Sequence, residues 1–195
     1  MTSSGRAELG RWLVERAYLE GDFVLRSGRR SRYYLDKYRF ETDPELLAGL
    51  GRELAAMVRA HAPQATLLAG PELGAVPLAA ATSIESGLPF VIVRKDTKEY
   101  GTGNRLEGVW TPGTAVCVIE DVVTSGGALA ESVEALREAG LVVRNAVCVL
   151  DREEGGSDAL ARLGVRLRPL FRASELLEGG KVQQNRMVEP KAPEC

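Results

Sequence analysis

At 195 residues, 45% of them hydrophobic and 27% charged, the chain can bury a substantial core and suits one domain rather than two of ordinary size. Lys and Arg number 25 against 27 Asp and Glu, a net charge of −2 with the lone His neutral. No overall basic charge therefore advertises nucleic acid or an anionic membrane, and any anion site must be local. No apolar run approaches the ~18 residues of a membrane span, and the opening "MTSSGRAELGRW" lacks the apolar core of a signal peptide, so the expected location is cytoplasmic. Cys117 and Cys148 lie inside apolar runs and Cys195 ends the chain. That spacing fits neither a disulfide framework nor a metal knuckle, and reduced thiols are expected.

In chain order, "ELGRWLVERAYL" places Leu9, Trp12, Leu13 and Ala17 on one helical face. "DFVLRSGRRSRYYLDKYRF" mixes aromatic and branched residues around a Ser-Gly turn and predicts a short hairpin. "PELLAGLGRELAAMVRAH" is again amphipathic, with Leu46, Leu50, Leu54 and Met57 behind a proline suited to a first helical turn, and His61 at its end is a C-terminal capping residue. Then come "ATLLAG", "PFVIVR", "TAVCVIE" and "RNAVCVLD", short apolar runs of the kind that form strands covered on both faces. The helical patterns "GAVPLAAATSIESG" and "GALAESVEALREAG" lie between them, the second with Leu129, Val133 and Leu136 inward before a Gly stop. Alternating strands and helices predict the α/β class, a parallel sheet with helices on its two faces. Residues 1–180 are expected to form a single domain. The tail 181–195, with few apolar residues and two prolines, is expected to be loosely ordered.

In such sheets ligands bind beyond the carboxyl ends of the strands. In "VCVIEDVVTSGGALAESVEALREAG", Val116 to Gly140, an apolar strand over Val116 to Ile119 is expected to end in Glu120 and Asp121, and "TSGGA" spans the turn into a helix. Thr124, Ser125, Gly126 and Gly127 offer hydroxyls and free backbone N–H groups at a helix N-terminus, a natural phosphate cradle, though they also read as ordinary helix-capping residues. Carboxylates beside such a cradle make sense if both serve one ligand, the turn holding a phosphate and the acids holding sugar hydroxyls or a hydrated Mg²⁺.

"VCVIEDVVTSGGA" resembles the signature of the type I phosphoribosyltransferases, which bind 5-phosphoribosyl 1-diphosphate (PRPP). "VRKDTKEYGTGNRLEG" (Val93 to Gly108), "LRSGRRSRYYLDK" (Leu25 to Lys37) and "LDREEGG" resemble the mobile loop, the N-terminal substrate segment and a base-site loop of the orotate phosphoribosyltransferases among them. With "GPELGAVPLA", Gly70 to Ala79, the likeness covers most of residues 10 to 175. It implies the type I phosphoribosyltransferase fold, a central parallel sheet flanked by helices, with residues 1–40 contributing a small substrate-binding hood.

The same resemblance implies roles residue by residue. Glu120 and Asp121 would meet the ribose hydroxyls. The loop Val122, Val123, Thr124, Ser125, Gly126, Gly127 and Ala128 would wrap the 5′-phosphate. Arg26 stands where the family often has Lys; Arg94, Lys95, Lys98 and Tyr100 belong to the loop that closes over PRPP, with Lys98 catalytic and Tyr100 where the family has His. Tyr33 and Tyr34 would form a wall for orotate, beside Thr124 and Arg152. Glu72 and Leu73 stand where some members have a Tyr-Lys pair. The implied cofactor is Mg²⁺, held mainly by PRPP and water with no direct protein ligand. The implied assembly is a homodimer sharing its lid loops: Arg94, Lys98 and Tyr100 would cross to the other subunit's site, and Lys95 would serve its own.

Read without the resemblance, Arg94, Lys95, Lys98 and Arg105 lie in a glycine-containing stretch without apolar period, which suits a cationic lid or a solvated loop neutralised by Asp96, Glu99 and Glu107. The reaction implied is transfer of ribose 5-phosphate from PRPP to N1 of orotate, giving orotidine 5′-monophosphate and pyrophosphate in pyrimidine biosynthesis. Two other readings are a phosphoribosyltransferase for another base, and a PRPP-sensing regulator of transcription built on the same fold. Against the regulator stand the near-neutral charge and the lysine-bearing loop.

Overall fold

The computed structural model describes residues 3–24, 30–95 and 105–176. Helix α1 (Ser3–Ala17) leads into an antiparallel hairpin of β1 (Tyr18–Val24) and β2 (Arg30–Leu35), followed by the short helix α2 (Lys37–Glu41). The hairpin begins earlier than the sequence pattern predicts, because Tyr18 and Leu19 leave the helical face and pair with Leu35 and Tyr34. Lys37 to Glu41 do not continue a strand. The Asp36 side chain accepts from Tyr38 N at 3.2 Å and caps a new helix instead.

Helix α3 (Pro44–His61) starts as a proline at the first turn predicts, and Asp43 caps it by accepting from Glu45 N and Leu46 N at 3.0 Å. Then follow β3 (Leu67–Pro71), α4 (Ala75–Ser86), β4 (Phe90–Val93), β5 (Leu106–Glu107), β6 (Ala115–Val123), α5 (Gly127–Glu138), β7 (Val142–Asp151), α6 (Gly156–Arg162) and β8 (Arg166–Arg172). The central sheet runs β5-β4-β3-β6-β7-β8, parallel except for the pairing of β5 with β4. Strand β8, unread in the sequence because Pro169 interrupts its pattern, is an edge strand, where a missing N–H is tolerated.

Strand period 2 divides the core into two layers. Cys117 and Ile119 face α1, α3 and α4 through Leu13, Leu46, Leu50, Leu54 and Leu78. Val116 and Val118 face α5 and α6 through Leu129, Val133, Leu136 and Leu160. The expected inner faces are thus buried, although Trp12 and Met57 are only partly covered and Val58 takes an inner place in α3. Cys117 and Cys148 are free and buried, and burial pushes the Cys117 thiol up to about 12. Among the described residues no helix is long and apolar enough to cross a membrane. The tail expected to be loose, 181–195, lies outside the described residues.

Strand order sets where a ligand can sit. From β3 the chain moves outward to β4 and β5, returns to β6 beside β3, and continues outward the other way to β7 and β8. The crevice opens where that order reverses, between the carboxyl ends of β3 and β6.

Candidate active site

Glu120 and Asp121 lie inside their strand rather than at its carboxyl end. Strand β6 continues to Val123 because β7 keeps pairing with it, through Val122↔Leu150 and Val123↔Asp151. Both acids are therefore held in the ladder, Glu120 9% and Asp121 4% exposed. Val122 and Val123 accordingly belong to the strand rather than to the loop. The exposed turn is Thr124, Ser125 and Gly127 with Ala128, around a buried Gly126.

Gly126 has φ 82° and caps α5 with no side-chain hydrogen bond, a left-handed conformation that favours glycine. A Cβ there would also lie 3.0 Å from the Gly156 Cα, so close packing independently excludes a side chain. The turn thus combines exposed hydroxyls with the N-terminus of a 12-residue helix, the arrangement that favours an anion.

Arg152 arrives from the next loop. Its N–H donates to Val123 O at 2.9 Å, and Gly156 of the same loop rests on Gly126. Asp151, 2% exposed, shapes this loop by accepting from Glu153 N at 2.8 Å and Ser157 Oγ at 3.2 Å. The Arg152 guanidinium pairs with Glu154 at 3.1 Å. Phosphate-type turn and arginine loop therefore lie side by side.

The acids meet a group that the sequence reading had not singled out. Lys37 Nζ donates to Asp121 Oδ2 at 2.6 Å, and the Val122 N–H donates to Asp121 Oδ1. Asp121 N donates to Glu120 Oε1 at 3.0 Å. Glu41, from the end of α2, is 3% exposed beside them, and its Oε1 has no hydrogen-bond partner among the described residues. Burial, then repulsion from Asp121, pushes the Glu41 carboxyl up to about 8. Burial, then Asp121, likewise raises Glu120 well above the ordinary carboxylate range. For Lys37, burial works downward, but the field and hydrogen bond of Asp121 outweigh it and raise the ammonium. The pattern of charge suits acceptance of a hydroxyl: a buried carboxylate held by a cation, beside two acids whose carboxyls burial pushes up.

A pH dependence follows. The folded chain keeps the Glu41 proton up to about 8, whereas an unfolded one releases it near 4.5, so this group lowers stability as pH rises through that window. Asp36, Lys37 and Asp121 all act on it and remain in a Glu41→Gln variant. The melting temperature of the variant relative to the parent is expected to rise by roughly 10 °C between pH 5 and pH 8, since a proton held to about 8 rather than 4.5 is worth about 3 kcal/mol over that range, and about 1 kcal/mol shifts a chain of this size by ~2–4 °C. Parallel melting curves across that range would return Glu41 to an ordinary ionised acid.

The remaining expected residues divide. Arg94 lies between Glu72 and Glu107, at 3.9 Å and 3.5 Å, and its N–H donates to Arg105 O. Lys95 N donates to Glu72 Oε1 at 2.8 Å, so Glu72 anchors the base of the expected lid. Lys98, Tyr100 and Arg26 lie outside the described residues. Tyr33 and Tyr34 sit on β2; the Tyr34 ring is 38% exposed and lies 5.5 Å from that of Phe23. Among the described residues no group of three or more His, Cys, Asp or Glu could cage a metal ion.

Lys37 closes the stretch Leu25 to Lys37, but its pairing and that of Glu41 with Asp121 could not be found by motif: they stand about 80 residues from it, and only folding brings them together.

Comparison with known proteins agrees with this geometry. Residues 41–162 match the model of the phosphoribosyl transferase domain. The chain is 52% identical over 157 residues to the orotate phosphoribosyltransferase of Methanocella arvoryzae, covering 80% of this chain and 88% of that one. The crystal structure of orotate phosphoribosyltransferase from Aeropyrum pernix superposes with a TM-score of 0.75 at 34% identity, covering 89% and 99% of the two chains. That of the Mycobacterium tuberculosis enzyme in complex with PRPP superposes with a TM-score of 0.75 at 28% identity, covering 88% and 98%. With the turn, the acid pair and the arginine loop placed as they are, and with relatives this similar over nearly their whole length, the chain belongs to the orotate phosphoribosyltransferase family.

Proposed function

We infer that this chain is an orotate phosphoribosyltransferase, a pentosyltransferase that moves the ribose 5-phosphate group of PRPP to N1 of orotate. The products are orotidine 5′-monophosphate and pyrophosphate, and the reaction belongs to pyrimidine (UMP) biosynthesis. The observation that carries this reading is the packing of the Arg152 loop on the Thr124–Gly127 turn, one strand away from the buried acids. A phosphate, a sugar and an anionic base can be held side by side there.

In the transfer, the C1–O bond to diphosphate breaks with its electron pair leaving on oxygen, and an electron pair from N1 of orotate forms the new C1–N bond. Reactive orotate already lacks its N1 proton, so no strong protein base is needed. The chain's work is to position the reactants and balance charge. Backbone N–H groups and hydroxyls of Thr124 to Ala128 hold the 5′-phosphate. Asp121, with Glu120 behind it, accepts ribose hydroxyls and favours the cationic character that the sugar gains. Arg94, Lys95 and Lys98 face the diphosphate, and Tyr34, Tyr33 and Arg152 receive the planar anionic base.

Mg²⁺ prefers phosphate and water oxygens, and it suits a site in which both Asp121 oxygens already accept from Val122 and Lys37: the diphosphate and water would hold it. When bound, it neutralises the charge that develops on the departing pyrophosphate. The proposed assembly is a two-fold homodimer in which the lid of each subunit, including Lys98, closes over the other's site.

One assay tests the function: loss of orotate absorbance with PRPP and Mg²⁺, compared with uracil, adenine and hypoxanthine as acceptors. Turnover of orotate above the others is expected. PRPP binding without turnover of any base would favour the sensor instead. Within this reading, Arg152→Ala is expected to raise KM for orotate ~10-fold or more, as loss of a charge-assisted hydrogen bond of roughly 1.5–3 kcal/mol requires. Unchanged orotate kinetics would remove Arg152 from the base site.

A further inference from the structure

Two separate elements converge on Asp121. Lys37 comes from the first turn of α2, Glu41 from its end, and Gly74 from the turn after β3. A Cβ on Gly74 would lie 2.8 Å from Lys37 Nζ and 2.6 Å from Glu41 Oε1, and would overlap Asp121 Oδ2. The turn after β3 therefore leaves a space that these three side chains fill. The side chain of Asp121 is 5% exposed and that of Lys37 32%, so the carboxylate is desolvated while its partner keeps contact with solvent. An exposed ion pair contributes little, but a buried carboxylate left without a partner is strongly unfavourable. Asp121 also stands among two further acids, Glu41 and Glu120, and Lys37 is the cation paired with it among the described residues.

We propose that Lys37 is a positioning residue for the transfer reaction: its ammonium orients and charge-balances the Asp121 carboxylate that meets the ribose. The proposal rests on the transfer reaction inferred above. Two donors fix the carboxylate, Val122 N–H on Oδ1 and Lys37 on Oδ2, and a carboxylate with about four lone-pair sites can still accept a sugar hydroxyl. Balancing its charge in advance also spares the polyanionic PRPP a repulsive encounter. Lys37 lies three residues beyond Tyr34, and Asp36 between them donates its N–H to Ala17 O at 2.8 Å and caps α2. The hairpin expected to meet the base is thus tied through Lys37 to the acid expected to meet the sugar.

A double-mutant cycle tests this. Lys37→Met is expected to lower kcat ~10-fold or more while both KM values stay within ~3-fold, because Asp121 acts mainly in the transition state. Lys37→Met combined with Asp121→Asn should be no slower than Asp121→Asn alone, since the lysine would act through that carboxylate. Lys37→Arg, which keeps the charge, should recover most of kcat. Additive losses, or a Lys37→Met enzyme with parental kcat, would overturn the proposal, as would a rise in PRPP KM with kcat untouched, which would mean direct contact with substrate. If Lys37→Met fails to fold, Lys37→Gln replaces it in the cycle, with the same outcomes decisive. If the parent uses another base, or only binds PRPP, the cycle is read with that base or by PRPP calorimetry. The base assignment can then fail while the coupling holds, or the reverse.

Discussion

Glu120→Gln combined with Asp121→Asn is expected to cut kcat ~100-fold or more and to move KM for PRPP by less than ~3-fold. The reason is geometric and electrostatic. An ionised carboxylate facing the ribose attracts a sugar that becomes cationic at C1 more strongly than it attracts the ground state, and an interaction of that kind appears in kcat. Most of the loss should come from Asp121→Asn. Glu120 is buried, and desolvation and the neighbouring Asp121 push its carboxyl well above the ordinary range, so Gln is the smaller change there. The fold should survive: both amides are close in shape to the acids, and the cation left behind, Lys37, has a side chain 32% exposed to solvent. Steady-state kinetics of the two single variants and the double, with circular dichroism as a check on folding, decide it. A stable double variant working near the parental rate would reduce the pair to polar residues in a strand.

The second large effect is recovery rather than loss. A Lys98→Ala subunit and an Asp121→Asn subunit, each nearly inactive alone, are expected to regain about one quarter of parental activity when mixed and allowed to exchange. In a two-fold dimer whose lids cross over, random exchange makes half the dimers mixed, and in each of these one of the two sites receives both intact residues. The described base of the loop, Arg94 and Lys95, contacts Glu72 and Glu107 of its own chain. Blocking exchange should abolish the recovery. If fully exchanged mixtures are no more active than the separate variants, Lys98 serves its own subunit or none, and the shared site must be given up.

Much of the fold was legible because its signals are local. Leu46, Leu50 and Leu54 recur at the helical period and are fully buried in α3, and the continuous apolar runs at Val116 and Ala146 become strands covered on both faces, as such runs should. The turn Thr124 to Gly127 was equally plain, since small residues between a strand and a helix leave few other arrangements. Lengths were less legible. Val122 and Val123 looked like loop because two acids precede them, yet the partner strand β7 keeps them in register. Helix α2 is five residues long, too short to show a period, and β8 hides behind Pro169.

For the site, the sequence by itself determined which residue types could hold a phosphate, a sugar and an anionic base, because those chemistries are carried by contiguous stretches. It also determined the kinship, because the motifs follow one another in order. Tertiary structure alone decided how charge is balanced there. Lys37 and Glu41 of α2, Gly74 after β3 and Asp121 of β6 belong to three separate parts of the chain, and nothing near any one part in the chain points to the others. Burial then acts on the group as a whole: it raises Glu41 and Glu120 and leaves Asp121 paired with Lys37. Desolvation and Coulomb energy depend on distance through space, so they have no period or motif by which a sequence could announce them.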